Sequence, residues 1–304
     1  IEKECAGLIE FIEPSYGLDA VGGNESIKTE LLEIAKALKA GDRARSPMGL
    51  LAVGPMGAGK TFVIKGFLKE AGLSAVALKN FRSKWDGSTE SNLERVLTAV
   101  KAMGPIAVII DEGDRSFGRQ GEDSDGGTSS RVIARLKEFM SDTENRGRVL
   151  FILMTNRPDK LDVDIRRPGR LDRKIPFFYA DSAGERAAVV RAVLKRYDAP
   201  CSIDWSAADG LLGGLVGYSN ADLEALALLA LEFAQRQGKD IDEALFRQAI
   251  EDFMPPQDVA MLQYMEMLAV FETSRRSLLP PRFRALSPDQ VHGRLVALRA
   301  AIQD

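Results

Sequence analysis

Apolar and polar positions change rhythm twice along the chain. From Glu25 to Leu38 the residues Ile27, Leu31, Leu32, Ile34, Ala35 and Leu38 recur at helical spacing, which predicts an amphipathic helix. Five short, nearly continuous apolar runs follow at Gly49–Val53, Ala75–Leu78, Ile106–Ile110, Val149–Leu153 and Ile175–Phe178. Runs of this kind fit strands buried on both faces of a parallel sheet. Between them lie helical patterns at about Lys60–Ala71, Glu90–Met103 and Ser130–Asp142. The alternation predicts an α/β fold, a parallel five-stranded sheet flanked by helices. The first 20 residues are mixed, with a turn at Pro14, Ser15 and Gly17.

After Asp181 the strand-like runs stop. Ser182 with Glu185, and Ser219 with Asp222, are capping-box pairs that open helices to about Tyr197 and Gln235, and Asp242–Phe253 reads as another helix. Pro255 and Pro256 begin a tail with an apolar helix at about Asp258–Ser274 and a break at Pro280-Pro281. Its last helix is capped by Ser287, with Pro288 and Gln290 behind it. The expected division is an N-terminal segment 1–14, an α/β part 15–180, a small all-α part 181–254 and a helical C-terminal tail 255–304.

Composition narrows the chemistry. One histidine, His292, and two cysteines, Cys5 and Cys201, leave no zinc site and little room for Ser-His-Asp or Cys-His catalysis. Two cysteines in 304 residues make no disulfide framework, so a reducing, cytoplasmic setting is the expectation. Against 44 Asp+Glu stand 41 Lys+Arg, a net charge of −3, which speaks against a nucleic-acid coat. No apolar run approaches the roughly 18 residues of a membrane span. The sequence starts at Ile1 rather than Met, so more can precede it.

The strongest chemical signal is Gly54-Pro55-Met56-Gly57-Ala58-Gly59-Lys60-Thr61, a G-x-x-x-x-G-K-[ST] motif between a predicted strand and a predicted helix. Its glycines let backbone N–H groups wrap a phosphate chain, Lys60 reaches the β- and γ-phosphates, and Thr61 offers a hydroxyl to Mg²⁺. The run Ile106–Ile110 then ends in Asp111-Glu112. Adjacent carboxylates at the end of a buried strand are costly unless they have work: Asp111 to hold Mg²⁺ and its water, Glu112 to polarise an attacking water. Asp164–Arg173 packs Arg166, Arg167, Arg170 and Arg173 into ten residues beyond Thr155-Asn156. Phosphoryl transfer needs such positive charge, often supplied in trans.

The phosphate loop, Asp111-Glu112, Asn156 and Arg170/Arg173, in that order, resemble the AAA ATPases, a P-loop NTPase family, and in particular its proteasomal and protein-remodelling members. The resemblance covers about Ser15–Phe253. It implies ATP/ADP and Mg²⁺ as cofactors, a lid role for residues 181–254, and a homo-oligomeric ring, by family habit a hexamer. The net charge of −3 and the lack of a basic-aromatic stripe speak against a nucleic-acid partner. Asn156 matches the position that orients the attacking water, and Arg170 and Arg173 match fingers that reach a neighbour's site. Arg166 and Arg167 would shape the interface. Leu18–Gly23, with Asp19, Val21 and Gly22, resembles the segment lining the adenine pocket, and Gly217–Leu223, with Asn220 and Ala221, resembles the turn closing its other side. Phe62 follows the phosphate loop and joins the same binding set.

Ser83–Gly87 falls where this family carries its pore loop. Trp85 and Gly87 match the aromatic and the glycine, while Asp86 stands where an aliphatic is usual. Gly118–Ser130, with Glu122, Asp123 and Asp125, falls at a second pore loop. Two further departures are Gly113 after Glu112, expected to add local freedom, and Asn220 in place of a glycine, expected to accept left-handed backbone. The implied function is Mg²⁺-dependent ATP hydrolysis driving protein remodelling or translocation through a ring. An ATP-switched scaffold or loading factor is the alternative.

Overall fold

The computed structural model describes residues 9–78, 89–113, 128–255 and 258–303. Trp85, Asp86, Gly87, Glu122, Asp123 and Asp125, the pore-loop candidates, lie outside them.

Five strands form the expected parallel sheet: β2 (Gly49–Val53), β3 (Ser74–Leu78), β4 (Ile106–Ile110), β5 (Val149–Thr155) and β6 (Arg173–Pro176), ordered β3-β4-β5-β2-β6. A sixth, β1 (Ile9–Ile12), adds antiparallel to the outer side of β3, pairing Ile9 with Leu78. It arises in the segment without a legible pattern. Only Ile9 and Ile12 are half-buried while Glu10 and Phe11 face out, as suits a short edge strand. The last strand also shifts from the expected Ile175–Phe178. The strand ends at Pro176, while Phe177 and Phe178 continue as buried chain, Phe177 N still donating to the Val53 carbonyl at 2.7 Å.

Side-chain alternation splits the core into two layers. Leu50, Ala52, Ala107, Ile109, Leu150, Ile152 and Met154 face helices α1 (Glu25–Lys39) and α2 (Lys60–Ala71). Leu51, Val53, Val108, Ile110, Phe151 and Leu153 face α3 (Thr89–Ala102) and α4 (Thr128–Ser141). A separate apolar cluster holds together α5 (Ala183–Arg196), the short α6 (Ala208–Leu212), α7 (Asn220–Gln237) and α8 (Glu243–Asp252). Both expected capping boxes form: Ser182 Oγ accepts from Glu185 N at 3.1 Å and Ser219 Oγ from Asp222 N at 3.0 Å.

The tail is α9 (Val259–Glu272), the short α10 (Pro281–Arg284) and α11 (Pro288–Gln303). Helix α9 is apolar nearly all round, and such a helix must be buried. It lies on the α/β part: Met267, Ala269 and Val270, with Leu279, Phe283 and Val291, join the cluster of Phe151, Leu153, Ile165 and Leu171. The methionines Met265 and Met267 are core residues, and His292 is exposed.

Candidate functional site

The phosphate loop links β2 to α2 with two residues in the left-handed region, Gly57 (φ 74°) and Gly59 (φ 86°), where a side chain would be strained. Lys60, the first residue of α2, folds back over it. Its Nζ donates to the carbonyls of Gly54 (2.8 Å) and Pro55 (2.9 Å) and to Asn156 Oδ1 (2.6 Å) at the end of β5. Tyr179, buried beyond β6, donates its hydroxyl to the Met56 carbonyl at 2.6 Å. Burial, reinforced by the negative charges of Asp222 and Glu266, raises that phenol's pKa, so it stays a donor.

The N-terminus of α7 closes on the same loop. Ala221 N donates to Gly57 O at 3.1 Å and Asn220 Nδ2 to Ala58 O at 3.3 Å. A β-carbon on Gly57 would sit 2.8 Å from Ser219 Oγ, so glycine permits this approach. Asn220 is a right-handed helical residue here, and not the left-handed one expected. It earns its place through its side-chain amide, whose Oδ1 is buried without a partner among the described residues.

A cavity of about 480 Å³ lies between these elements. Met56, Gly57, Gly59, Lys60, Thr61, Phe62, Val21, Gly22, Asn220 and Ala221 line it, together with Asp111, Glu112 and Asn156. Asp19, Pro55 and Ala58 do not reach it. Asp19 sits in a 3₁₀ turn beside it, while Pro55 and Ala58 act through their carbonyls toward Lys60 and Asn220. The sequence reading missed one wall. Val189, Ala192, Val193 and Arg196 of α5 and Glu224 of α7 line the cavity's far side. Their signal was a helical i, i+3, i+4, i+7 face and the i+4 partner of Asn220. Arg196 stacks its guanidinium 4.8 Å from the Phe62 ring and pairs with Glu224 at 2.6 Å. Tyr16 stacks on the other side of Phe62 with centroids 4.4 Å apart.

Glu112 has φ 50°, a conformation costly for glutamate, of order 1–3 kcal/mol. Asp111 Oδ1 accepts from Glu112 N at 2.8 Å and supports it. Gly113 brings no freedom, contrary to expectation. It is buried, and a β-carbon there would lie 2.2 Å from Leu153 Cδ2. The chain directly after the two carboxylates is thus packed against β5, while Asp111 and Glu112 themselves are exposed and line the cavity. Among the described residues no three His, Cys, Asp or Glu side chains gather as a ready metal cage. A cation beside Thr61 and Asp111 would therefore take its other ligands from phosphate and water, which suits Mg²⁺.

The four arginines of the segment each have a contact within the chain. Arg173 opens β6, and its guanidinium, 28% of the side chain exposed, lies 3.3 Å from Glu30. Arg170 donates to the Asp164 carbonyl at 2.5 Å, and its Nε is buried without a partner among the described residues. Arg166 turns inward to Glu272, while Arg167, paired with Asp164 at 3.2 Å, keeps 67% of its side chain exposed. Arg173 stands opposite Leu50 in the parallel register, which fixes the end of the segment.

A phosphate loop at the end of a parallel strand, a carboxylate pair on the next strand but one and a polar residue against the loop lysine define a P-loop ATPase site. Residues 50–179 match the family described as "ATPase family associated with various cellular activities (AAA)". They are an AAA ATPase domain, of the ATP-hydrolysing class of enzymes. The chain is 32% identical over 246 residues to ATPase family protein 2 homolog of Caenorhabditis elegans, covering 77% of this chain and 33% of that protein. It is 34% identical over 193 residues to the cell division cycle protein 48 homolog of Archaeoglobus fulgidus, covering 63% and 26%. The chain thus spans a third or less of these relatives. The FIGL-1 AAA domain superposes with a TM-score of 0.69 at 22% identity, over 88% of this chain and 93% of that one. Among the described residues no helix is long and apolar enough to cross a membrane.

Proposed function

We propose that the chain binds ATP in the 480 Å³ cavity and hydrolyses it to drive remodelling of a protein client from within an oligomeric, six-membered ring. The observation that carries this is the convergence of Lys60, Thr61, Asp111, Glu112 and Asn156 on one cavity whose far wall is α5 and α7. On this reading residues 15–180 form the catalytic part and 181–254 the lid.

The loop N–H groups and Lys60 hold the phosphates, exchanging the lysine's carbonyl contacts for phosphate oxygens. Thr61 and Asp111 hold Mg²⁺, which when bound neutralises charge developing on the phosphates. Glu112 accepts a proton from the attacking water, and Asn156, anchored through Lys60, orients it. Phe62, Arg196 and the backbone of Ala20–Gly22 enclose the base and sugar. Arg170 and Arg173, released from Asp164 and Glu30, supply positive charge to the neighbouring subunit's γ-phosphate, and Arg166 and Arg167 shape the interface. Trp85 and Gly87 grip the client.

Replacing Glu112 by Gln should leave ATP affinity near wild type and slow hydrolysis by about 100- to 10,000-fold, the worth of a general base. Unchanged turnover would overturn the assignment. Trp85→Ala should keep ATPase activity and lose unfolding of a folded reporter protein. If wild type itself unfolds no reporter, the switched-scaffold reading takes its place.

A further inference from the structure

We propose that Glu272, the last residue of α9, is a positioning residue that sets the arginine-bearing segment 164–173 for its action on a neighbouring subunit. The inference rests on the trans-acting arginine reading above.

The Glu272 side chain is 3% exposed, and a buried carboxylate is costly unless paired. One partner, Arg166, lies within the arginine segment, and the other, Lys174, directly follows it. Arg166 Nη1 bonds one carboxylate oxygen, and Lys174 Nζ approaches the other at 3.0 Å. One tail carboxylate thus holds the chain immediately before Arg167 and immediately after Arg173. A second tie lies beside it. Arg275 reaches Glu30 at 2.9 Å, and the same Glu30 carboxylate receives Arg173 at 3.3 Å. Ser274 Oγ adds a bond of 3.4 Å to the Lys174 carbonyl.

The held segment has little structure of its own. From 162 to 172 it is a succession of turns and bends without helix or strand. Its far end is fixed by Asp172, whose carboxylate accepts from Met48 N and Gly49 N at 3.0 and 3.1 Å. Its near end depends on Arg166 and Glu272. Arg170 lies four residues further on, so the path that carries it across the surface starts from that pair.

A carboxylate that merely pinned the tail would serve the whole fold. The geometry separates the two roles, because no residue of α9, α10 or α11 lines the nucleotide cavity. Losing Glu272 should therefore spare the chain's own nucleotide site and spoil only what it presents to its neighbour.

The test uses the full chain carrying Glu272→Gln, which keeps the volume and an acceptor, and Glu272→Ala. Binding of a fluorescent ATP analogue should stay within about two-fold of wild type, while kcat falls at least about ten-fold with little change in KM, a fraction of what a finger is worth. Mixing either variant with Glu112→Gln protein, inactive but with an intact arginine face, should restore turnover well above the sum of the two. Arg170→Ala mixed with Glu112→Gln is the reference. If that reference pair fails to restore activity, the trans-arginine reading falls and takes the proposal with it. If it restores activity and the Glu272 variants do not, or if they turn over normally, Glu272 is no positioning residue. Loss of nucleotide binding in both variants would mean that the carboxylate only holds the fold, which also overturns the proposal.

Discussion

Gly22 offers a direct way to ask whether closure of the helical wall on the nucleotide cavity matters. A β-carbon built on Gly22 would lie 2.2 Å from the Ala188 carbonyl oxygen and 2.7 Å from Val189 Cα. Both are backbone atoms of α5, so no rotamer change relieves the clash. Ordinary contact begins at 3.4 Å, and 3.4 minus 2.2 means that the helix must retreat by about 1.2 Å. Helix α5 carries Val189, Ala192, Val193 and Arg196 on the cavity, so the retreat opens the site along its length. Overpacking of this kind costs about 1–3 kcal/mol. If the whole cost falls on the closed arrangement, Gly22→Ala weakens ATP binding by about 5- to 150-fold, at 1.4 kcal/mol per tenfold. Titration calorimetry with a non-hydrolysable ATP analogue measures this, with Gly184→Ala as control. That position lies on the same helix, and its nearest neighbour is 3.8 Å away. Wild-type affinity and melting in Gly22→Ala would refute the idea that α5 backbone contact shapes the site.

Tyr179→Phe removes the hydroxyl that holds the Met56 carbonyl. It should cost about 1 kcal/mol of stability and raise KM for ATP by a few-fold, read by thermal melts and steady-state kinetics. Glu266 is a pH probe. Burial raises its carboxyl pKa, and Arg282, 2.5 Å away, only partly opposes this. A raised folded-state pKa contributes stability fully below the ordinary carboxylate range and loses it as pH rises through the raised value. Melting curves from pH 4 to 7 should therefore show Glu266→Gln gaining on wild type as pH rises, and parallel curves would contradict this. Ser219→Ala removes the cap of α7, costs about 1 kcal/mol and loosens the contact with Gly57, visible as a lower melting temperature and weaker nucleotide binding.

The parallel strands were legible because burial on both faces writes continuous apolar runs, and the phosphate loop because its residue types have few other uses. β1 was not, because a four-residue edge strand with Glu10 in it writes no pattern. The tail helix was read as apolar, yet periodicity carries no information on what an apolar helix covers. Here it covers Ile165 and Leu171, inside the arginine segment. The wall of α5 escaped for a related reason. Its apolar residues serve two surfaces, the helical cluster and the cavity, and spacing alone does not divide them. The arginine run was visible, but not what holds it. Arg173 and Arg166 pair with Glu30 and Glu272, acids far away in sequence.

The placement of α9 also bears on how this protein can be dissected. Cutting the chain at Pro255 looks natural, since the catalytic loop, both carboxylates and the helical wall all precede it. Such a fragment would bare the face of the sheet that Met267, Ala269, Val270 and Phe283 cover, a contiguous apolar patch of the kind that drives indiscriminate association. High-mass species from that fragment would reflect sticking rather than ring assembly, and sizing experiments gain meaning only with residues 259–303 attached.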